Sequence, residues 1–99
     1  MIKLTKDKYK ETIENNKVVL IDFYADWCGP CSMLSPTIDE IDRECPEVCV
    51  CKVDVDKEQA LAMDFKVMYI PMIAVIKNGE ITHKSSGVKT KEQILELLK

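Results

Sequence analysis

Two cysteines separated by two residues carry the clearest chemical signal in this sequence. They lie in the segment Trp27-Cys28-Gly29-Pro30-Cys31, and a C-x-x-C pair can switch between dithiol and disulfide. If a helix begins near Cys28, positions i and i+3 share one face, and their Cα separation can fall in the roughly 4.4–6.8 Å window that a disulfide needs. The segment therefore predicts a disulfide that closes and reopens.

The expected helix start also predicts which cysteine reacts first. Unpaired N–H groups and the helix dipole stabilise a thiolate at a helix N-terminus and lower its pKa from about 8.5 into the range of roughly 3.5–7.5. We therefore expect Cys28 to be the nucleophile that forms a mixed disulfide with a substrate. Cys31, one turn further in and less accessible, is the expected resolving thiol. Pro30 presets φ for the first helical turn, and Gly29 avoids side-chain bulk beside the sulfurs.

A carboxylate inside an apolar run is the second candidate for chemistry. Asp22 interrupts residues 18–25, a run typical of a strand covered on both faces, and burial there would raise its pKa. A carboxylate with a raised pKa near Cys31 can accept the proton of the resolving thiol. The residues leave an alternative open, in which Asp22 faces solvent or pairs with Lys52 on the next strand.

The five cysteines of the chain also allow other interpretations. Their number is odd, so they cannot all pair within the chain. Cys28, Cys31, Cys49 and Cys51 superficially resemble zinc-ribbon ligands, whose pairs lie about 15–20 residues apart. Ribbon ligands lie on turn-borne knuckles, whereas Cys49 and Cys51 lie in a valine-rich run, so we expect no metal and no cofactor. These two and Cys45 are expected to be buried inert thiols, with a regulatory role as the minor alternative. A disulfide-dependent binding or chaperone module is a further alternative, which the intact motif argues against.

Composition is that of an ordinary globular chain. Apolar residues make up 46% of the sequence, and 14 basic against 17 acidic residues give a net charge of −3. This balance favours neither nucleic acid nor an anionic membrane as a partner. The first residues show no apolar signal core, and no run approaches the length of a membrane span, so we expect a cytoplasmic protein. Residues 1–99 are expected to form a single domain.

Sequence patterns predict an α/β architecture with the order βαβαβαββα and a central mixed sheet between helical layers. Strands are expected at residues 2–4, 18–25 and 48–55, each followed by a helix, the second of them over about residues 28–44. Thr5 is an expected helix cap, and Asp56 with Gln59 looks like the capping pair of the third helix. Asn78-Gly79 predicts a type I′ turn between strands at residues 72–77 and 80–85, and Thr90 with Gln93 predicts a capping box. The dithiol is expected at the carboxyl end of a strand.

Over essentially its whole length the sequence resembles the thioredoxin family. The resemblance rests on residues 21–31 with their Trp-Cys-Gly-Pro-Cys motif, on Ile70-Pro71, and on the Lys77-Asn78-Gly79-Glu80 hairpin. It implies a thioredoxin fold and general protein-disulfide reductase activity. The implied partners are disulfide-containing protein substrates and a thioredoxin reductase that recharges the dithiol, and we expect a monomer.

The resemblance also implies roles for residues outside the motif. It implies that Pro71 follows a cis peptide bond opposite the dithiol, that Asp22 is the buried carboxylate beneath it, and that Lys52 is the neighbouring lysine that modulates the pKa of Asp22. The residues that fall where the family docks its substrates are Trp27, Val55, Ile70, Pro71, Met72, Gly87 and Val88. Met72 stands where the family commonly has threonine, and Tyr69-Ile70 replaces a glycine-containing approach. These departures bear on substrate choice.

Overall fold

A computed structural model describes residues 1–99 and has the predicted order of elements. Its five strands and four helices are β1 (Ile2–Lys3), α1 (Lys6–Asn15), β2 (Val18–Tyr24), α2 (Gly29–Glu44), β3 (Cys49–Asp54), α3 (Gln59–Asp64), β4 (Met72–Lys77), β5 (Glu80–Ser86) and α4 (Lys91–Leu98). None of the four helices combines the length and the apolar character needed to cross a membrane.

The five strands form one mixed sheet in the order β1-β3-β2-β4-β5. β1, β3 and β2 run parallel, whereas β4 is antiparallel to both β2 and β5. β2 therefore lies at the centre of the sheet and is hydrogen-bonded along both edges. This position explains its nearly continuous apolar sequence, because both faces of a central strand are covered. The predicted α/β architecture with a central mixed sheet is confirmed.

Apolar side chains pack on both faces of the sheet. On one face, Ile13 of α1 and Leu61 of α3 pack with the inward residues of the strands. On the other face, Leu34, Ile38 and Ile41 of α2 pack with Ile94 of α4. The spacing of the three α2 residues, four and then three positions, places them on one side of the helix. The second layer fixes α2 against the sheet, and α2 in turn carries the cysteine motif at its first turn.

Most local signals in the sequence have the structures that they predicted. Asn78 and Gly79 both have positive φ angles, of 51° and 84°, as a type I′ turn requires. Thr90 and Gln93 form the expected capping box at α4.

Two expected helix caps lack the predicted hydrogen bonds. Thr5 occupies the cap position of α1 but makes no side-chain capping bond. The expected pair at the third helix is wrong, because Glu58 occupies the cap position and α3 begins at Gln59. Asp56 lies in the preceding turn, where its N–H donates to Asp54 Oδ1 at 2.9 Å. Because the Asp56 side chain does not cap α3, it can accept a hydrogen bond from another residue.

Replacing a buried residue of α2 tests how this helix is anchored. Ile41 is fully buried in the layer between α2 and the sheet, so Ile41→Ala is expected to lower the free energy of unfolding by about 2–5 kcal/mol. Met33 lies on the same helix but is 70% exposed, so Met33→Ala should change it by less than about 0.5 kcal/mol. Urea denaturation measures both variants. Equal losses would contradict the assignment of the buried face.

Candidate active site

The two motif cysteines lie where β2 gives way to α2. Cys28 is the N-cap residue of α2, Pro30 lies in its first turn, and the N–H of Cys31 donates to Cys28 Sγ at 3.2 Å. Cys28 and Cys31 are joined by a disulfide, with their Cα atoms 5.3 Å apart. The predicted pairing and its place at the carboxyl end of a strand are therefore present in the structure.

Burial does not distinguish the two cysteines in this disulfide form. Both residues are 5% exposed, so the expectation that Cys31 is less accessible than Cys28 is wrong for this state. Their positions relative to α2 do differ. Cys28 stands before the first turn and its sulfur receives a backbone N–H, whereas Cys31 lies within that turn. A thiolate at Cys28 is therefore stabilised by the N-terminal N–H groups of α2 and by its dipole.

The loop before β4 lies beside the disulfide. The peptide bond between Ile70 and Pro71 is cis, as the resemblance implied. The carbonyl oxygen of Ile70 lies 3.8 Å from Cys28 Sγ. The next carbonyl, that of Pro71, accepts a hydrogen bond from the N–H of Gly87 at 2.8 Å. This bond ties the end of β5 to the loop, so two chain segments distant in sequence meet next to Cys28.

Asp22 lies in the middle of β2 on the face covered by α2, opposite Lys52 of β3. Its side chain is 2% exposed, and its Oδ1 atom makes no hydrogen bond to the protein. Burial raises the pKa of Asp22 from its ordinary 3.8, the charge of Lys52 lowers it, and the charge of Asp39 raises it, so that the three together give a pKa of about 6. The predicted raised pKa is confirmed, and the alternative of a solvent-facing carboxylate is wrong.

Lys52 modulates this carboxylate from a distance. Its Nζ atom lies 4.9 Å from the centroid of the Tyr24 ring, as a cation–π contact. Ion pairs within 4.0 Å do not include Asp22. The lysine therefore lowers the pKa of Asp22 through its charge and leaves the carboxylate oxygens available.

A cleft of about 180 Å³ joins the carboxylate to the dithiol. Asp22 and Cys31 both line it, so the structure brings together the two residues that the sequence linked only by hypothesis. A water molecule occupies about 30 Å³ in the liquid, so the cleft is large enough to hold water. The remaining lining residues are Tyr24, Ala25, Asp26, Ser32, Ser35 and Lys52. The two serines were not identified from the sequence, because a hydroxyl on a helix carries no signal of its own.

Most residues of the predicted docking surface do lie around the disulfide. Trp27 is 72% exposed, and its Nε1–H donates to Asp56 Oδ2 at 2.8 Å. Trp27, Val55 and Ile70 share an open apolar cleft of about 350 Å³. Gly87 and Val88 are exposed just beyond β5. The hydrogen bond that the indole donates to Asp56 orients the ring. The sequence patterns did not predict this role, because they assigned Asp56 to a helix cap.

Two of the predicted docking residues, Pro71 and Met72, are buried. Met72 is the one whose side chain lies in the core. It is the first residue of β4, pairs with Phe23 and Ser86, and is only 5% exposed. Its side chain packs in the core layer with Phe65. The alternation of side chains along a strand turns this position inward, so the Met72 side chain does not lie on the surface where the resemblance placed it.

The zinc-ribbon alternative fails on topology. Cys49 pairs with Val19 at the start of β2, whereas Cys28 follows the end of β2. The two cysteine pairs therefore lie toward opposite ends of the sheet. No group of three or more His, Cys, Asp or Glu side chains converges anywhere in residues 1–99 in a way that could hold a metal ion.

Comparison with protein families and known relatives gives a consistent result. A family model described as Thioredoxin matches residues 1–99. The chain is 42% identical over 100 residues to thioredoxin of Bacillus subtilis (strain 168), covering 99% of this chain and 94% of the relative. It is 35% identical over 95 residues to thioredoxin of Chlamydia trachomatis serovar D, covering 96% of this chain and 92% of the relative.

Solved structures with the same fold are similarly close. Mitochondrial thioredoxin 3 from Saccharomyces cerevisiae, in its oxidized form, superposes with a TM-score of 0.92 at 30% identity, covering 99% of this chain and 92% of the other. A mutant thioredoxin from Halobacterium salinarum NRC-1 gives a TM-score of 0.91 at 33% identity, with coverage of 99% and 86%.

The raised pKa of Asp22 predicts a dependence of stability on pH. The carboxyl binds its proton more tightly in the folded state than in the unfolded state. The free energy of unfolding therefore falls as pH rises from 3.8 to about 6, and above about 6 this loss is complete. Asp22→Asn removes this cost and should raise the free energy of unfolding at pH 7 by up to about 3 kcal/mol. Urea denaturation from pH 4 to pH 8 measures the difference from the parent protein.

The exposed Asp7 of α1 provides a matched control. Asp7→Asn should leave the stability profile parallel to that of the parent. A parallel profile for Asp22→Asn as well would contradict the assigned pKa.

Proposed function

Because this chain belongs to the thioredoxin family, we propose a two-step disulfide exchange in which Cys28 attacks and Cys31 resolves. The chain is a thiol-disulfide oxidoreductase that reduces protein disulfides. The observation that carries the proposed division of roles is the position of Cys28 as the N-cap of α2, with the N–H of Cys31 at 3.2 Å from its sulfur.

In the first step, the Cys28 thiolate attacks one sulfur of a substrate disulfide. A mixed disulfide forms between Cys28 and the substrate, and the other substrate sulfur leaves as a thiolate. The N-terminal N–H groups and dipole of α2 support this step, because they stabilise the thiolate at Cys28. Pro30 supports it by presetting the first turn of α2, and Gly29 places no side chain between Cys28 and that proline.

In the second step, Cys31 loses its proton to Asp22 and attacks Cys28 Sγ. The bond between Cys28 and the substrate breaks, the second substrate sulfur leaves, and the Cys28–Cys31 disulfide forms. Two electrons have then passed from the dithiol to the substrate. Asp22 suits the base role because its pKa is about 6. At neutral pH most of the carboxyl is then ionised and able to accept a proton, and its basicity is higher than that of an ordinary carboxylate. Lys52 keeps the pKa from rising further, and the shared cleft supplies the route for the proton.

The proposed docking surface surrounds Cys28. Trp27, Val55 and Ile70 offer apolar area on one side, and Gly87 and Val88 offer exposed backbone on the other. The carbonyl of Ile70, beside the sulfur, is available to an N–H of an extended substrate segment, while Pro71 fixes the turn that presents it. Met72 contributes only through its backbone, since its side chain is in the core.

The proposed cellular setting follows from the family. A thioredoxin reductase recharges the Cys28–Cys31 disulfide, and disulfide-containing proteins receive the electrons. We propose that the chain works as a cytoplasmic monomer and as a single domain over residues 1–99, without a cofactor of its own.

Trapping variants test the assignment of nucleophile and resolving thiol. Cys31→Ser should accumulate mixed disulfides with a protein substrate such as insulin, because Cys28 attacks but nothing releases the product. Cys28→Ser should accumulate none. Non-reducing electrophoresis with mass spectrometry identifies the linked cysteine, and Cys45→Ser with the dithiol intact is the control that should not trap. Equal trapping by both active-site variants would contradict the roles.

Single-turnover kinetics test Asp22 as the proton acceptor. At pH 7, Asp22→Asn should slow the resolution of the mixed disulfide by about 100-fold, the lower range for a general base, and leave its formation nearly unchanged. In the parent protein, the resolution rate should rise with pH around the pKa of about 6. Rapid-quench measurement of each step separates the two rates.

Lys52→Met serves as the companion variant for the kinetic experiment. Loss of the positive charge should move the inflection in the resolution rate to higher pH, since Lys52 lowers the pKa of Asp22. Equal slowing of both steps in Asp22→Asn, or an inflection that Lys52→Met does not move, would count against the proton-transfer role.

A further inference from the structure

A second close pair of cysteine sulfurs lies on β3, away from the active site. Cys49 and Cys51 are separated by one residue, so their side chains project from the same face of the strand, and their Sγ atoms are 3.8 Å apart. Neither forms a disulfide, and Cys51 is fully buried while Cys49 is partly exposed. The proposed exchange mechanism uses neither thiol.

A disulfide is a poor match to this pair. Side chains at i and i+2 leave the same face of a strand roughly parallel, so their Cβ atoms are about 6.6 Å apart, whereas a disulfide needs about 3.5–4.5 Å. The sulfurs would have to close from 3.8 Å to about 2.05 Å, and β3 would have to contract while paired with β2. A single atom bonded to both sulfurs avoids this contraction, because it bridges the separation that already exists.

The surroundings of the pair select among such bridging atoms. A structural zinc ion takes four ligands, and residues 1–99 supply no cluster of three or more for it. Cys51 packs among apolar residues such as Leu4 and Val53, and burial raises the pKa of its thiol, with Cys49 adding to the effect. A complex that leaves two thiolates charged is therefore costly here, whereas one that consumes both thiols and leaves a neutral product is not.

From this geometry, we propose that Cys49 and Cys51 form a binding site for trivalent arsenic compounds with one organic group and two exchangeable oxygen ligands. Each thiol replaces one hydroxyl on arsenic. Two S–H bonds and two As–O bonds break, two As–S bonds form, and two water molecules leave. Arsenic remains trivalent throughout, so the reaction needs no oxidant or reductant. The product is neutral, as the apolar surroundings require.

The edge of β3 suggests the order of the two bonds. β1 pairs with β3 only at Ile2–Cys51 and Lys3–Lys52, so Cys49 lies beyond this pairing and is the more exposed thiol. The first As–S bond therefore forms at Cys49. Cys51 then closes the ring as an intramolecular reaction, which is favoured over binding of a second free thiol.

The test uses phenylarsine oxide and the protein with its Cys28–Cys31 disulfide closed, so that the active-site dithiol cannot compete. One equivalent is added, the sample is desalted, and intact mass and thiol content are measured. We expect one retained adduct per chain and the loss of two of the three free thiols. No retained adduct, or consumption of a single thiol, overturns the proposal.

Three variants locate the adduct. Cys49→Ser and Cys51→Ala should each reduce retention by at least about tenfold, because a single As–S bond lacks the second attachment. Cys45→Ser should retain the adduct fully, since Cys45 lies on the opposite face of the sheet. If circular dichroism shows that Cys51→Ala is unfolded, the partly exposed Cys49→Ser carries the test. An adduct retained by Cys49→Ser, or lost by Cys45→Ser, overturns the assignment. The disulfide exchange is tested separately by the trapping variants.

Discussion

β2 is hydrogen-bonded along both edges and covered on both faces, and the active site depends on this burial. The central strand holds Asp22 in a fixed place beneath α2 and removes water from it, which raises its pKa. The same strand ends at Tyr24 and delivers Cys28 to the N-terminus of α2. One packing constraint therefore places both the proposed nucleophile and the proposed base.

The proposed proton transfer also requires that burial at the carboxyl end of β2 is incomplete. A fully enclosed Asp22 could not exchange a proton with Cys31 or with solvent, but the cleft that they share opens to the surface. Lys52 limits the rise in the pKa of Asp22, because its positive charge lowers the pKa that burial raises. The carboxyl consequently titrates near neutral pH, where proton transfer from a thiol is useful.

The cysteines of this chain show how strongly position controls thiol chemistry. Cys28 lies at a helix N-terminus, where N–H groups stabilise a thiolate. Cys51 lies in the core two strand positions from Cys49, where burial disfavours the thiolate. The first setting supports nucleophilic attack and electron transfer. The second setting disfavours a charged thiolate but allows a reaction that consumes both thiols and leaves a neutral product. Together with the 3.8 Å separation of the two sulfurs, this is the basis of the proposed arsenic site.

The sequence by itself determined the features that depend on neighbours along the chain. The C-x-x-C spacing, the Asn78-Gly79 turn, the Thr90 capping box and the apolar run around Asp22 each predict a local structure or a burial state, because the interacting residues are within a few positions of one another. The element order and the mixed sheet followed from these signals. The raised pKa of Asp22 followed from the cost of placing a carboxylate in an apolar strand.

Only the tertiary structure decided the contacts between distant segments. It places the Met72 side chain in the core and pairs Asp56 with Trp27, not with a helix N-terminus. It also buries Cys28 and Cys31 to the same extent. Asp22 and Cys31 line one cleft. Each outcome depends on how α2, α3 and the loops pack on the sheet. Packing is set by the shapes and volumes of many side chains together, and no short stretch of sequence contains that information.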